Sequence, residues 1–167
     1  MLGEILTIDD KKEEKILRKK TAEFDFKKFS KKEIQALIVR MKRVMRAANG
    51  IGLSANQIGL DLKVFVAEIP DAERGTKFYS VFNPVIEKLG EEKAPFEEGC
   101  LSIPGKYGEV ERAEKIAIKG FDKYGKPVKI KAWGLLARVF QHEIDHLNGK
   151  LFIDRTKKVF ASERSES

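Results

Sequence analysis

The chain has 167 residues, of which 42% are hydrophobic and 35% are charged, and its one cysteine excludes an internal disulfide framework. No stretch approaches the roughly 20 apolar residues that a membrane-spanning helix needs, and we expect no secretory segment at the N-terminus. This length predicts a single domain over residues 1–167. The net charge of +7 either favours a polyanionic neighbour such as RNA or only aids solubility. With no disulfide to form, a reducing, cytoplasmic location is expected.

An amphipathic helix is predicted near the N-terminus. Ser30 and Glu33 have the spacing of a capping box, and apolar residues then recur at helical intervals up to Ala48. Asn49 and Gly50 are expected to end this helix, because glycine readily takes the left-handed conformation. The charged residues 11–20 before it are expected to form a solvated face or a loop.

The middle of the chain predicts antiparallel strands. The segments 62–69, 78–82, 85–89, 116–121 and 128–133 have strand-like composition, and Asp122 to Gly125 indicate a hairpin. Residues 90–99 are acidic and are expected to form a loop, and the polar tail from about residue 155 is expected to fray. A helix, then strands, then a second helix give an α+β fold, with antiparallel sheets packed around that second helix.

Residues 50–59 form a glycine-rich turn that carries little specificity by itself. No strand is predicted before it, and neither the dinucleotide-binding nor the P-loop pattern is present. The segment offers close approach of a ligand to the backbone at Gly50 and Gly52, and one side-chain amide at Gln57.

The strongest chemical signal lies in the second predicted helix. His142 and His146 are the only histidines in the chain, and they are four residues apart with Glu143 between them. Positions i and i+4 share a helical face, so both imidazoles can bind one metal ion with Glu143 beside it as a candidate general base. The surrounding apolar residues predict a buried helix, where unpartnered polar groups would be costly.

A catalytic site of this type needs a third protein ligand. No third histidine exists, and the late glutamates Glu163 and Glu166 lie in a tail without a helical pattern. Cys100 is the remaining candidate, although a buried structural cysteine is the ordinary alternative. A thiolate suits Fe(II), Zn(II), Co(II) or Ni(II) better than Mg(II) or Ca(II), and the sequence does not choose among the four.

Three stretches together resemble one family, the peptide deformylases. Residues 50–57 (Gly-Ile-Gly-Leu-Ser-Ala-Asn-Gln) are similar to its first motif, residues 98–102 (Glu-Gly-Cys-Leu-Ser) match its second, and residues 141–146 (Gln-His-Glu-Ile-Asp-His) match its third. They occur in the family's order, and the likeness runs from about residue 2 to about residue 154. Ser54 departs from a usual alanine, and residues 105–108 depart from relatives that often carry an arginine there.

The resemblance implies removal of the N-formyl group from the N-terminal methionine of newly made proteins, with release of formate. It implies one divalent metal on Cys100, His142 and His146, with Fe(II) expected and Zn(II), Ni(II) or Co(II) as alternatives. It also implies that Glu143 moves the proton. The oxygen of the formyl group is assigned to the Gln57 side-chain amide, the Leu101 N–H and the metal, although Gln57 could instead only brace the loop.

The family also suggests where the substrate binds. Ile51, Gly52, Gly99 and Leu101 are the expected substrate-binding residues, and side chains near Leu136 and Val139 are expected to line the methionine pocket. Formyl-methionyl nascent peptides are the expected partners, with transient ribosome contact, no membrane and no specific DNA. Asp145 and Glu98 are expected to support the site or the fold rather than to react.

Two other functions remain open from the residues. A metallopeptidase would cut internal bonds, but it needs a third ligand that is missing after His146. A basic RNA- or ribosome-binding module would have a metal closed by four protein ligands, and only three soft candidates exist.

Overall fold

The computed structural model describes residues 4–162 and contains helices and antiparallel sheets. The helices are α1 (Lys11–Leu17), α2 (Lys31–Ala47) and α3 (Gly134–Leu147). The strands are β1 (Gly52–Ser54), β2 (Val64–Asp71), β3 (Gly75–Leu89), β4 (Lys93–Cys100), β5 (Ile103–Ala113), β6 (Lys115–Phe121), β7 (Pro127–Trp133) and β8 (Val159–Ala161). The predicted α+β class is confirmed.

The larger sheet lies between the two long helices. Its strand order is β1-β2-β3-β6-β7, and every pairing in it is antiparallel. Successive residues of a strand point to opposite faces. Val64 and Val66 accordingly pack in the cluster that contains α2, whereas Phe65 and Ala67 pack in the cluster that contains α3. The smaller sheet has the order β4-β5-β8.

The amphipathic helix α2 begins where the sequence predicts. The Glu33 amide donates to Ser30 Oγ at 3.1 Å, and the Ser30 amide donates to Glu33 Oε2 at 2.7 Å, which forms the capping box. The helix ends before Asn49, which takes a positive φ of 56°. Its apolar stripe packs on the sheet, as a helix with polar residues on its other face should.

The expectation of a loop over residues 90–99 is wrong. Most of that segment is β4, which pairs with β5 from Lys93 opposite Ala113 to Gly99 opposite Tyr107. Glutamate, lysine, proline and glycine are poor strand formers, so local composition does not reveal a strand that its partner stabilises. Strand β5, which the sequence did not indicate, is the partner.

Three smaller expectations are also revised. The segments 78–82 and 85–89 belong to one strand, β3, interrupted at Asn83, where φ is 49° and the register shifts. The start of the charged segment 11–20 is helix α1, with Leu17 buried. Part of the tail expected to fray forms β8 against β5, and Glu163 and Glu166 lie outside the described residues.

Candidate metal centre

Helix α3 is fixed in the core by hydrogen bonds from both sides. The Asn56 side-chain amide donates to the His146 carbonyl at 2.6 Å, and Gln141 makes hydrogen bonds to both the amide and the carbonyl of Ala113. These contacts tie the helix to the glycine-rich segment and to β5. The backbone that carries His142 and His146 is therefore held between the two sheets.

The three predicted ligand atoms lie together. Cys100 ends β4 at a hairpin turn in which it pairs with Ile103, and its Sγ lies 3.2 Å from His146 Nε2. His146 Nε2 lies 3.1 Å from His142 Nε2, and the three donor atoms are all within 4.8 Å of one another. Two strands and a turn thus bring a thiol from one element to the imidazoles of another.

Glu98 sets the orientation of His142. Its Oε1 lies 2.9 Å from His142 Nδ1, so the ring donates to the carboxylate and directs Nε2 toward the sulfur and the second ring. Burial alone would raise the pKa of Glu98, but hydrogen bonds from Arg112 and His142 and their positive charges lower it well below its usual range. Glu98 is therefore a carboxylate at neutral pH.

The two imidazoles respond differently to the same surroundings. Burial opposes protonation of both rings. Hydrogen bonds to Cys100 and Glu98 nevertheless raise the pKa of His142 well above its usual value, whereas burial and the positive charge of His142 hold the pKa of His146 well below it. The ring nitrogen of His146 near the sulfur is thus free to act as a neutral ligand, whereas a metal ion on His142 would displace the proton from Nε2.

Glu143 lies beside this cluster with an unused oxygen. Its side chain is 3% exposed, and its Oε2 is buried without a hydrogen-bond partner in the described part of the chain. Burial raises the pKa of Glu143 to about 7. A Cβ at Gly52 would come within 2.5 Å of Glu143 Oε1, so the glycine leaves the space that this carboxyl group occupies.

Gln57 is held so that its NH₂ group points into the site. Its Oε1 accepts from the Ser54 amide at 3.0 Å and from Ser54 Oγ at 3.1 Å. Its Nε2 lies 3.1 Å from Ser102 Oγ and 3.7 Å from Cys100 Sγ. The serine that departs from the usual motif therefore adds a second bond to the same amide.

A cavity of about 460 Å³ opens onto this cluster, and the four predicted substrate-binding residues line it. These are Ile51, Gly52, Gly99 and Leu101. The apolar side chains of α3 on its wall are Leu135 and Val139, and Leu136 does not line it. Residues 135, 139 and 142 share one helical face, and Leu136 is turned about 100° away from it into the core.

Several residues of the site were not found from the sequence. Tyr107 lines the cavity and lies so close to Gly99 that a Cβ there would meet its ring at 2.7 Å. Arg138 lies over the exposed ring of Phe96 and donates to Glu98 at 2.7 Å. Its position four residues before His142 was an available signal, because i and i+4 share a face. Arg112 lies on β5, which was not predicted.

The donors fit a divalent transition metal. One thiol and two imidazoles converge, and a cavity reaches Cys100, His142 and the buried Glu143, whose Oε2 lacks a partner in the described residues. Soft sulfur and nitrogen ligands select such ions over magnesium or calcium. Three converging candidate ligands beside a cavity and a buried carboxyl group are the arrangement of a mononuclear metallohydrolase.

The sequence model of the polypeptide deformylase family matches residues 3–161. A peptide deformylase from Carboxydothermus hydrogenoformans is 47% identical over 124 residues, which are 74% of this chain and 77% of that protein. One from a Picosynechococcus species is 43% identical over 129 residues, covering 77% of this chain and 69% of that protein. The crystal structure of a probable peptide deformylase from Synechococcus phage S-SSM7 has a TM-score of 0.81 and 44% identity, covering 90% of this chain and 97% of that one.

The chain belongs to the polypeptide deformylase family. Its activity is that of a hydrolase in protein biosynthesis, which removes the N-formyl group from the N-terminal methionine of newly made proteins and releases formate. The family uses a single metal ion, and the cluster described above could hold one. Among residues 4–162, no helix has the length and apolar character that crossing a membrane requires.

Proposed function

We propose that Cys100, His142 and His146 hold the single metal ion and that Glu143 and Gln57 carry out the deformylation. The observation that carries this proposal is the convergence of three soft donors beside a buried carboxyl group with a free oxygen. Glu98 supports it, because its bond to His142 Nδ1 leaves Nε2 as the ligand atom.

Glu143 moves the proton in this scheme. A bound divalent metal supplies Lewis acidity, which lets water lose a proton near neutral pH and polarises a carbonyl group. Glu143 takes a proton from the attacking water as the new C–O bond forms at the formyl carbon. It then returns the proton to the nitrogen as the C–N bond breaks, giving formate and a free amine. A pKa near 7 suits a group that must both accept and donate a proton.

Gln57 and the Leu101 amide stabilise the charge that develops on the formyl oxygen. The Gln57 NH₂ group is aimed at the cluster by two hydrogen bonds on its carbonyl end, so little reorganisation is needed during the reaction. The same two contacts brace the loop and direct the amide inward. Donors fixed in advance in this way are worth about 3 kcal/mol each.

The cavity suits a formyl-methionyl terminus. Gly52 and Gly99 have no side chains, and this leaves room beside Glu143 and Cys100 for the small formyl group and a peptide backbone. The apolar side chains of Ile51, Leu101, Leu135 and Val139 line the rest of the wall and suit the methionine side chain. Tyr107, which lines the cavity, belongs to the segment 105–108 where relatives often carry an arginine.

The metal identity, the location and the ribosome contact are finer parts of the proposal. Fe(II) is the proposed native ion, with Zn(II), Ni(II) and Co(II) as substitutes that the same thiolate and imidazoles accept. A reactive thiol ligand also favours the reducing cytoplasm. The positive net charge of +7 supports transient contact with the ribosome, where the nascent substrates are made.

Replacing Glu143 by glutamine tests the assignment most directly. Glutamine keeps the volume but cannot exchange the proton, so kcat for formyl-Met-Ala-Ser should fall by about 10² to 10⁴-fold. Metal content, measured anaerobically on the same sample, should stay at one ion per chain. Activity within threefold of the parent protein would contradict the role of Glu143.

A blocked peptide without a formyl group is the matched control substrate. The deformylase assignment predicts no cleavage of its internal bonds, whereas a metallopeptidase would cut it. Reconstitution of metal-free protein with each of the four ions, followed by the same assay, then identifies the metal that supports the highest turnover.

A further inference from the structure

Helix α2 covers only part of its face of the larger sheet, and the uncovered part is rich in lysine. Residues directly opposite each other in antiparallel strands point to the same face. Lys115 is opposite Trp133, Lys131 is opposite Ala117, and Lys129 is opposite Lys119. On β3, Val85 is opposite Lys119 and Lys88 is opposite Ala117. The lysine face is defined by Lys88, Lys115, Lys119, Lys129, Lys131 and Trp133.

The charge on this face is largely uncompensated. Lys129 pairs with Glu87 at 3.3 Å, but the other four lysines have no carboxylate partner in residues 4–162. The acidic side chains of Glu91, Glu92 and Glu114 lie in turns at one end and form no ion pair with the lysine face. Like charges directly opposite each other, as at Lys119 and Lys129, destabilise a sheet. Glu87 offsets the charge of Lys129, and a bound anion would offset that of Lys119.

Protection of a sheet edge explains only part of the pattern. Lysine on an edge strand prevents pairing with other chains, and β7 is the edge of the larger sheet. This reason applies to Lys129 and Lys131. It does not apply to Lys115 and Lys119, which lie on the interior strand β6, or to Lys88 on β3.

An exposed tryptophan completes the face. Trp133 is 70% exposed, and it is the only tryptophan in the chain. Aromatic side chains beside basic residues provide stacking platforms for unpaired bases. Trp133 is also two residues before Leu135, which lines the cavity of the metal centre. Trp133 ends β7, where it lies directly opposite Lys115.

We propose that the lysine face binds RNA, with the lysines on backbone phosphates and Trp133 stacked on an unpaired base. An anionic membrane would also attract the lysines, but stable insertion needs a larger apolar surface than the exposed Trp133 and Val85 provide. RNA has phosphates that pair with the lysines and unpaired bases that can stack on Trp133. Binding itself does not depend on the deformylase mechanism, so the two proposals fail separately.

The single tryptophan makes the test specific for this face. Titration of the full-length, metal-loaded protein with a 12-nucleotide single-stranded RNA in 50 mM salt should quench Trp133 fluorescence. Contacts from about five lysines predict a slope of about −3.5 in a plot of log K against log salt. Inorganic polyphosphate should compete for binding but should produce little quenching, because it has no bases.

Two variants with equal charge loss provide the comparison. The first variant changes Lys88, Lys115, Lys119 and Lys131 to glutamine. It should weaken RNA binding by about 30-fold or more and reduce the salt slope to about −1. The control changes Lys11, Lys12, Lys15 and Lys20 to glutamine, which are equally exposed and unpaired. It should retain affinity within threefold. Both variants should deformylate formyl-Met-Ala-Ser at the parent rate, which shows that they are folded.

Three results would overturn the proposal. Equal weakening in both variants would mean that net charge alone attracts RNA. Tight RNA binding without quenching of Trp133 would place the RNA elsewhere. Binding to vesicles containing 30% anionic phospholipid, lost in the first variant while RNA binding is unaffected, would assign the face to a membrane.

Discussion

Two polar clusters include residues of helix α3, and they differ in whether all their polar atoms have hydrogen-bond partners. The ligand cluster consists of Cys100, His142 and His146, and His146 Nδ1 and the nearby Glu143 Oε2 lack partners in the described structure. The carboxylate network consists of Glu98, Asp145, Arg112, Arg138 and Arg155, in which each carboxylate receives at least two guanidinium groups. They meet where Glu98 contacts His142.

This difference means that the ligand cluster needs an external ion, whereas the carboxylate network does not. Buried charges are tolerated when they are paired and hydrogen-bonded, as in the carboxylate network. The ligand cluster brings the electron pairs of one sulfur and two imidazole nitrogens together, so a cation completes it. The carboxylate network therefore orients His142, and in the proposed mechanism the ligand cluster supplies the chemistry.

The largest expected effect comes from removing the sulfur. Cys100→Ser replaces a soft ligand with a neutral hydroxyl, which binds Fe(II) or Zn(II) poorly. We expect loss of bound metal and a fall in kcat/KM of about 1,000-fold, equivalent to about 4 kcal/mol. Metal analysis and turnover on one sample check this. Retention of one tightly bound ion with near-parent activity would exclude Cys100 as a ligand.

The second effect concerns stability rather than catalysis. Arg112→Met leaves Glu98 and Asp145 with fewer cationic partners in a buried setting, because Arg112 donates to both. Breaking a buried pair in this way costs about 3 kcal/mol of unfolding free energy. Urea denaturation of metal-free protein measures it. As a matched control, Lys129→Met removes the exposed pair with Glu87 and should cost less than about 1 kcal/mol.

The third prediction concerns the side-chain amide of Gln57. Gln57→Ala should raise the activation free energy by about 3 kcal/mol and should change the metal content little. Since Gln57 also braces residues 54–57, Ser54→Ala is the matched variant. It removes the 3.1 Å hydroxyl bond while keeping the amide donor, and we expect a loss of activity below about tenfold. Equal effects of the two substitutions would favour a bracing role over a catalytic one.

The sequence predicted the metal cluster better than the network that supports it. His142 and His146 lie on one helix, where a spacing of four residues determines their common face. Glu98 was recognised as a supporting carboxylate, but its strand was expected to be a loop, because pairing of β4 with β5 depends on contacts distant in sequence. Arg112 lies on β5 and has no local pattern that marks it. Local periodicity thus predicted α3, whereas the partner strands required the folded chain.

Glu98→Gln should weaken metal binding through His142 rather than through direct contact. The neutral amide is a poorer acceptor for His142 Nδ1–H, so the ring becomes a weaker ligand and is less firmly oriented. We expect metal affinity to fall by about 10 to 100-fold, equivalent to roughly 1.4 to 2.7 kcal/mol. Competition with a chelator measures this loss. Unchanged affinity, with normal folding by circular dichroism, would show that the contact has no effect on the metal.

The smallest effect is expected in the acid stability of metal-free protein. The pKa of Glu98 is lowered from 4.5 in the folded state, so folding favours its charged form. The corresponding stability is fully present above about pH 4.5 and is lost as the pH falls toward the lower folded pKa.

Glu98→Gln cannot titrate, so its unfolding free energy should fall less steeply between pH 4.5 and 3 than that of the parent protein. In the parent protein, hydrogen bonds to Cys100 and Glu98 outweigh burial and raise the pKa of His142 well above its usual value, so His142 stays charged over that range. Urea unfolding at several pH values in the presence of chelator measures both slopes. Parallel slopes would mean that the carboxylate network does not stabilise the charged form of Glu98 in the folded state. They would contradict the distinction between a carboxylate network whose charges are paired and a ligand cluster that needs an ion.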